Sequence, residues 1–459
     1  MREIRPAQTS LKVDLTTGSV TKTLLVFAWP LMLSNLLQII YNMVDMIVVG
    51  QFVGKTGLAA VSCGADLLHV VTSLIMGFAS ASQIIISQLS GKKDADGVRK
   101  TIGTMFTFCF LLSLVVTAVG LIFINGILNA MNVPAEAFAE AKAYSLCCFT
   151  GVFFIFGYNA VSSILRGMGD SKRPFVFVAI AAVMNLILDL VFVAGFHWDA
   201  FGAAFATVIS QGVSFIVSLI YLYRKKEEFG FDFKLKSFMP DLNVLKVLGK
   251  LGVPMALQNS AVMLSKLFVN SYINSYGVVA AAVTGVGAKI GQCSTMVTNA
   301  MSMASTSMVG QSFGAGKLDR VKRTVYVTLF ISIAFCWSLA VIMIFFPDQI
   351  FGIFNSDPEI LELAHTYIPI SVLMFNGFAL RSPMLALVNG TGNPTLSLTI
   401  GILDGIVARV GLALFLGLYL KMGIMGFWLG DVFASQIPFF IGGIYFWSGM
   451  WKRKKIISI

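Results

Sequence analysis

Long apolar stretches, each near the roughly 20 residues that a helix needs to cross a bilayer, recur along the whole chain with short polar breaks between them. They predict twelve spans, over residues 22–50, 58–90, 98–125, 136–165, 174–195, 200–223, 247–277, 280–312, 322–346, 358–388, 395–419 and 425–450. The alternating segments of outer-membrane barrels are not seen. Only helices and closed barrels satisfy the backbone in lipid, so each span reads as a helix. Between spans six and seven, 224–246 opens on Arg224-Lys225-Lys226-Glu227-Glu228 and goes on with Lys among apolar residues. It links an amino-terminal lobe, 1–235, to a carboxy-terminal lobe, 236–459, either as an amphipathic surface segment or as a solvated loop.

The two lobes repeat one another. At an offset of about half the chain, Gln88, Gly91, Asp96, Val98 and Thr101 fall on Gln311, Gly314, Asp319, Val321 and Thr324 without a gap. The same offset carries Gly167 and Gly169 onto Gly390 and Gly392, and one residue more carries Pro30 and Asn35 onto Pro254 and Asn259. Six spans per half is an even number, so both halves share one orientation. The expected fold is therefore an all-α membrane protein of two six-helix lobes related by a pseudo-two-fold axis along the membrane normal.

Composition supports lipid as the main solvent: of 459 residues 57% are hydrophobic and 12% charged, where soluble proteins carry about a quarter charged. A net charge of +11 invites a nucleic-acid reading, but 26 of the 33 Lys and Arg sit at the termini and in alternate loops, while the loops between carry only Lys55 and Lys421. That asymmetry is topology and puts both termini in the cytoplasm of a multi-pass cell-membrane protein that binds no nucleic acid. The first span is too long for a signal peptide and lacks a cleavage site, so it is expected to stay as an anchor. Cys63, Cys109, Cys147, Cys148, Cys293 and Cys336 fall inside spans without metal-ligand spacing and read as small core residues.

An ionisable side chain at membrane depth is costly and marks a functional candidate. In span one Ser34, Gln38, Asn42 and Asp45 fall at helical spacing. Asn185 and Asp189 are i,i+4 neighbours in span five, as are Ala203 and Thr207 in span six. Two carboxylates, an amide, a hydroxyl and backbone carbonyls supply the oxygen-rich cage that a hard cation accepts in place of water. A proton could use the same groups, since two adjacent buried carboxylates cannot both stay ionised cheaply. The competing reading is that such groups only join helices. Asp66 and His69 in span two are further cavity candidates. The second half departs in sign, placing Lys266, Lys289, Arg381 and Arg409 within spans, with Asp404 and Asp431 nearby. Either these pair internally, or the cavity is acidic on one lobe and basic on the other, with Lys266 and Arg381 facing substrate.

The chain resembles the MATE (multidrug and toxic compound extrusion) transporters over essentially its full length. The resemblance rests on Ala28-Trp29-Pro30, Asn42-Met43-Val44-Asp45 and Gly50, on Gln88 to Gly91, on Leu165-Arg166-Gly167-Met168-Gly169-Asp170-Ser171, on Asn185 and Asp189, and on Gly310-Gln311-Ser312-Phe313-Gly314-Ala315-Gly316. It implies two six-helix lobes around a cleft that opens alternately to either side, with a Na⁺ or H⁺ gradient driving drug export. Within the family the positions look DinF-like, which implies a coupling-cation site at Asp45, Asn185, Asp189, Ala203 and Thr207. A second site known elsewhere in the family, with acids in spans seven and ten, does not carry over, because those spans hold Lys266 and Arg381.

The expected activity is a secondary antiporter, without cofactor beyond its coupling ion, monomeric, moving small drug-like compounds. The alternatives are a flippase for lipid-linked saccharides, which a side opening between spans one and eight would support, and a membrane-embedded enzyme. The scattered His69, His197 and His365 argue against an enzyme.

Overall fold

The computed structural model describes residues 14–355 and 357–459, so Arg2, Arg5 and Lys12 of the first basic cluster lie outside the described residues. The first half folds as α1 (Val20–Phe52), α2 (Lys55–Lys92), α3 (Ala95–Ala130), α4 (Ala135–Gly167), α5 (Lys172–Asp189) and α6 (Asp199–Arg224). The second half folds as α7 (Leu242–Asn274), α8 (Val278–Gly314), α9 (Leu318–Phe345), α10 (Pro358–Gly390), α11 (Pro394–Tyr419) and α12 (Ile424–Trp447). Ten of these helices are long and apolar enough to cross a membrane. The other two, α7 and α8, have 33 and 37 residues but a more polar composition. Ser305, Ser307, Gln311 and Ser312 of α8 are buried in protein rather than turned to lipid, which permits it.

Most helices outrun the expected spans, and the turns between them shrink to a few residues. Asp94 shows how: its carboxylate caps α3 by accepting the Gly97 amide at 2.9 Å, just after Lys93 ends α2 with a left-handed φ of 62°. Two helices change winding at depth. After Asp189, α5 continues as a π-helical turn, Leu190–Gly195, and α11 contains π segments at Ile402–Ala408 and Phe415–Tyr419. Such wide turns are rare and frequent at functional sites.

The linker is not a free loop. Phe229 and Phe231 are buried, and Phe231 packs edge-on against Phe233 and Phe238 with centroids 4.9 and 5.2 Å away. Thr107 of α3 donates to the Phe238 carbonyl, and Thr104 accepts the Asp241 amide at 3.0 Å. The linker is thus packed on α3 through its aromatic residues rather than solvated along its whole length. Of the cysteines, Cys109, Cys147, Cys148 and Cys336 are core residues as expected, but Cys293 is exposed and Cys63 partly so; their spans were too apolar throughout for the sequence to mark the packed face.

The halves meet where α2 packs along α7 and α8, and α1 along α8. Gly77 lies against Ala256, and a Cβ on Gly91 or Gly314 would strike the backbone of Gln311 or Gln88 respectively. This close approach lets two symmetry-related glutamines clasp the opposite lobe. Gln88 donates to the Gly390 carbonyl at 2.8 Å, and Gln311 to the Gly167 carbonyl at 3.0 Å. Each acceptor is the last residue of α10 or α4, so each glutamine satisfies a helix-end carbonyl that has no partner in its own helix.

Each clasp also holds a chain terminus. Leu15 donates its amide to Gln311 Oε1 at 3.2 Å, and Ile457 to Gln88 Oε1 at 3.0 Å. Arg320 fastens the first segment further, bonding the carbonyls of Leu15, Thr17 and Gly18 at 2.6 to 2.8 Å. Among the described residues, the hydrogen bonds between the lobes run from the Lys/Arg-rich face to mid-bundle, where Asn35 meets Met296, and no further. Toward the opposite face Gln38, Asn42 and Lys266 are exposed, so the structure is closed at its basic face and open at the other.

Candidate cation site and central cleft

Asp45 lies seven residues before the end of α1, on the face that packs against α5. Asp189 is the last residue of α5, at the onset of its π turn. Both are buried, and their carboxyl groups come within hydrogen-bonding reach of each other. Asn185, one turn before Asp189, reaches the Thr207 hydroxyl of α6 at 3.3 Å. With its amide turned over, it donates to Asp189 Oδ2 at 2.8 Å and accepts from the Thr207 amide at 3.3 Å, which satisfies both ends. Ala203 lies buried one turn before Thr207.

The structure thus brings Asp45, Asn185, Asp189 and Thr207 into one cluster, with Ala203 beside it. One oxygen of each carboxylate, Asp45 Oδ1 and Asp189 Oδ1, is buried without a hydrogen-bond partner. Two like charges facing each other in a low-dielectric site repel strongly. Such a pair is satisfied by a positive charge between the carboxylates, and the surrounding donors, all hard oxygens, fit an alkali cation or a proton.

Sequence reasoning missed Tyr41, whose hydroxyl meets the Thr207 side chain beside both carboxylates. The available signal was its position one turn before Asp45 on the same face of α1. Asp66 and His69, the cavity candidates of span two, are exposed on α2 and lie outside the carboxylate cluster. The Asn35 amide of α1 donates to the Met296 carbonyl of α8 at 3.2 Å, and apolar residues of both helices pack around it. That seam is closed where a lipid-linked saccharide would need a side opening.

In the second lobe the internal-pairing expectation holds for the arginines. Arg381 bonds Asp404 Oδ2 at 2.8 Å, Arg409 bonds Asp404 Oδ1 at 2.6 Å, and Arg409 also bonds Asp431. The shift that aligns Pro30 with Pro254 aligns Asn185 and Thr207 with Arg409 and Asp431, while Asp45 and Asp189 fall on the buried, apolar Val269 and Ala413. Where the first lobe brings two carboxylates together, the second holds a guanidinium fixed to the chain between two acids.

Two lobes of six helices, with a carboxylate pair at depth in the first, define a multi-pass membrane protein of the two-lobed transporter fold. The chain belongs to the MatE family, which matches it twice, over residues 30–191 and 254–414. It is 31% identical over 447 residues to the probable multidrug resistance protein YoeA of Bacillus subtilis, covering 96% of each chain. The probable multidrug resistance protein YpnP of the same organism is 28% identical over 449 residues, covering 97% of this chain and 99% of its own. A solved structure described as the outward-facing conformation of a multidrug resistance MATE family transporter superposes with a TM-score of 0.87 at 23% identity, covering 96% of this chain and 98% of that one.

Proposed function

We propose that the protein is a cation-coupled antiporter that exports small organic compounds, with both termini in the cytoplasm and a coupling Na⁺ or H⁺ bound by Asp45, Asn185, Asp189 and Thr207. The observation that carries this reading is the facing pair of buried carboxylates, each with an oxygen left unpartnered. A cation or proton entering from the open face neutralises the pair and draws α1 and α5 together. Substrate leaves through the same opening, and release of the cation at the other side resets the lobes. Binding drives this cycle only through its preference for one arrangement of the lobes. The names of YoeA and YpnP as multidrug resistance proteins agree with export of organic compounds.

The test is efflux of ethidium from proteoliposomes under a Na⁺ gradient alone and a pH gradient alone. At least one gradient drives wild-type efflux, and Asp189→Asn lowers it by about a hundredfold, because the neutral amide can neither hold a proton nor compensate a cation. Movement under neither gradient, or an unaffected variant, refutes the reading.

A further inference from the structure

The charged groups of the second lobe do not balance. Lys266, Arg381 and Arg409 face two carboxylates, Asp404 and Asp431. Arg409 is buried between both acids, and Arg381 takes the remaining oxygen of Asp404. Lys266 is left over. It makes no ion pair among the described residues, although Asp431, Arg409, Arg381 and Asp404 all lie within its electrostatic range. Its ammonium sits 5.8 Å from the centre of the Phe378 ring, and Phe378 lies one turn before Arg381 on α10. Arg381 keeps 22% of its side chain exposed and makes a single hydrogen bond among the described residues, out of the five N–H donors a guanidinium offers.

Lys266 is itself exposed, yet it points toward the helices of its own lobe rather than away from them. The Lys266 ammonium is therefore accessible on the side of α7 that faces Phe378 and Arg381 of α10. An ammonium and a partly free guanidinium flank an aromatic face there, with one positive charge in excess. In a cleft walled by protein and lipid, such a surplus attracts anions and focuses their field.

We propose that Lys266, Arg381 and Phe378 form a recognition site for an organic anion, a flat hydrophobic molecule carrying a carboxylate or another oxyanion, so that the exported class includes anions. The oxyanion takes the Lys266 ammonium and the spare N–H groups of Arg381. The hydrophobic body lies against Phe378. The proposal builds on the transport reading but names the chemistry of the cargo rather than of the coupling ion.

The test uses two dyes with one xanthene skeleton, fluorescein as the anion and rhodamine 123 as the cation. Each is titrated against full-length protein in phosphatidylcholine nanodiscs, with binding read by fluorescence anisotropy. Fluorescein is expected to bind about tenfold more tightly than rhodamine 123, and Lys266→Gln to remove about tenfold of that affinity. Lys266→Arg, which keeps the charge, restores it. Equal affinity for the two dyes, or a Lys266→Gln variant that binds fluorescein as the wild type does, overturns the proposal. So does loss of fluorescein binding on adding phosphatidylglycerol, which would assign the site to a lipid headgroup. Gradient-driven ethidium efflux by the wild type separates the two readings. Efflux without a preference for fluorescein sinks the anion site alone, and a Lys266-dependent preference without efflux sinks the antiporter alone.

Discussion

Replacing Gln88 by alanine removes two hydrogen bonds that join the lobes at the basic face, to the Gly390 carbonyl at 2.8 Å and from the Ile457 amide at 3.0 Å. Each bond contributes about 0.5–1.5 kcal/mol net, and a buried group left without a partner costs about 1–3 kcal/mol. Once the face opens, water reaches both groups, so the loss counts against the closed state only. A shift of about 1–3 kcal/mol changes the ratio of the two states by roughly 5- to 150-fold. Gln311→Ala removes the symmetry-related pair, to Gly167 at 3.0 Å and from Leu15 at 3.2 Å, and should shift the balance by a similar amount. The assay is a distance distribution between spin labels at Asp96 and Asp319, which are exposed, symmetry-related and near the basic face, with Cys63 and Cys293 replaced. Both variants should gain a longer-distance population. If either leaves the distribution unchanged, the clasp does not govern closure.

Gly314→Leu should open the basic face at least as far as Gln88→Ala, since its side chain would occupy the position of the Gln88 backbone, and the same labels report it. Arg409→Met should destabilise the protein by about 3–5 kcal/mol, because it leaves Asp404 and Asp431 without their buried partner; thermal unfolding in detergent checks this, and adding Asp404→Asn should recover part of the loss. Phe231→Ala should cost about 3–5 kcal/mol and free the linker from α3, seen as faster proteolysis after Lys236. Burial opposes ionisation of Asp14, but hydrogen bonds from Thr16 and the nearby Lys317 outweigh it and hold the carboxyl below its ordinary value of 3.8. The ionised form therefore supports the amino-terminal segment above that pH and loses its effect as pH falls through the lowered value, which amide exchange at Leu15 between pH 2 and 6 should show.

The membrane architecture was legible because lipid imposes a coarse rule, long apolar runs broken by charge, and α7 and α8 pass unnoticed only under a strict apolarity test. Within the candidate site, Asp45, Asn185, Asp189 and Thr207 could be read because charge and amides at depth are conspicuous. Asp66 and His69, read as cavity candidates, are exposed on α2, and helical spacing alone fixes their shared face but not what that face meets. Tyr41 was hidden among many aromatic residues that only pack. The repeat pointed to Gln88 and Gln311, but their role depends on an approach between two glycine-bearing backbones that no linear pattern displays.

The arginine that stands opposite the carboxylate cluster bears on stoichiometry. A guanidinium tethered at position 409 cannot dissociate, so its lobe contributes a constant charge at every stage of a turnover. With coupling proposed at Asp45 and Asp189, the exchangeable ion binds in the first lobe alone, and the ion dependence of transport should saturate along a simple hyperbola. Of two halves that repeat in sequence, one buries a facing pair of acids and the other a resident guanidinium.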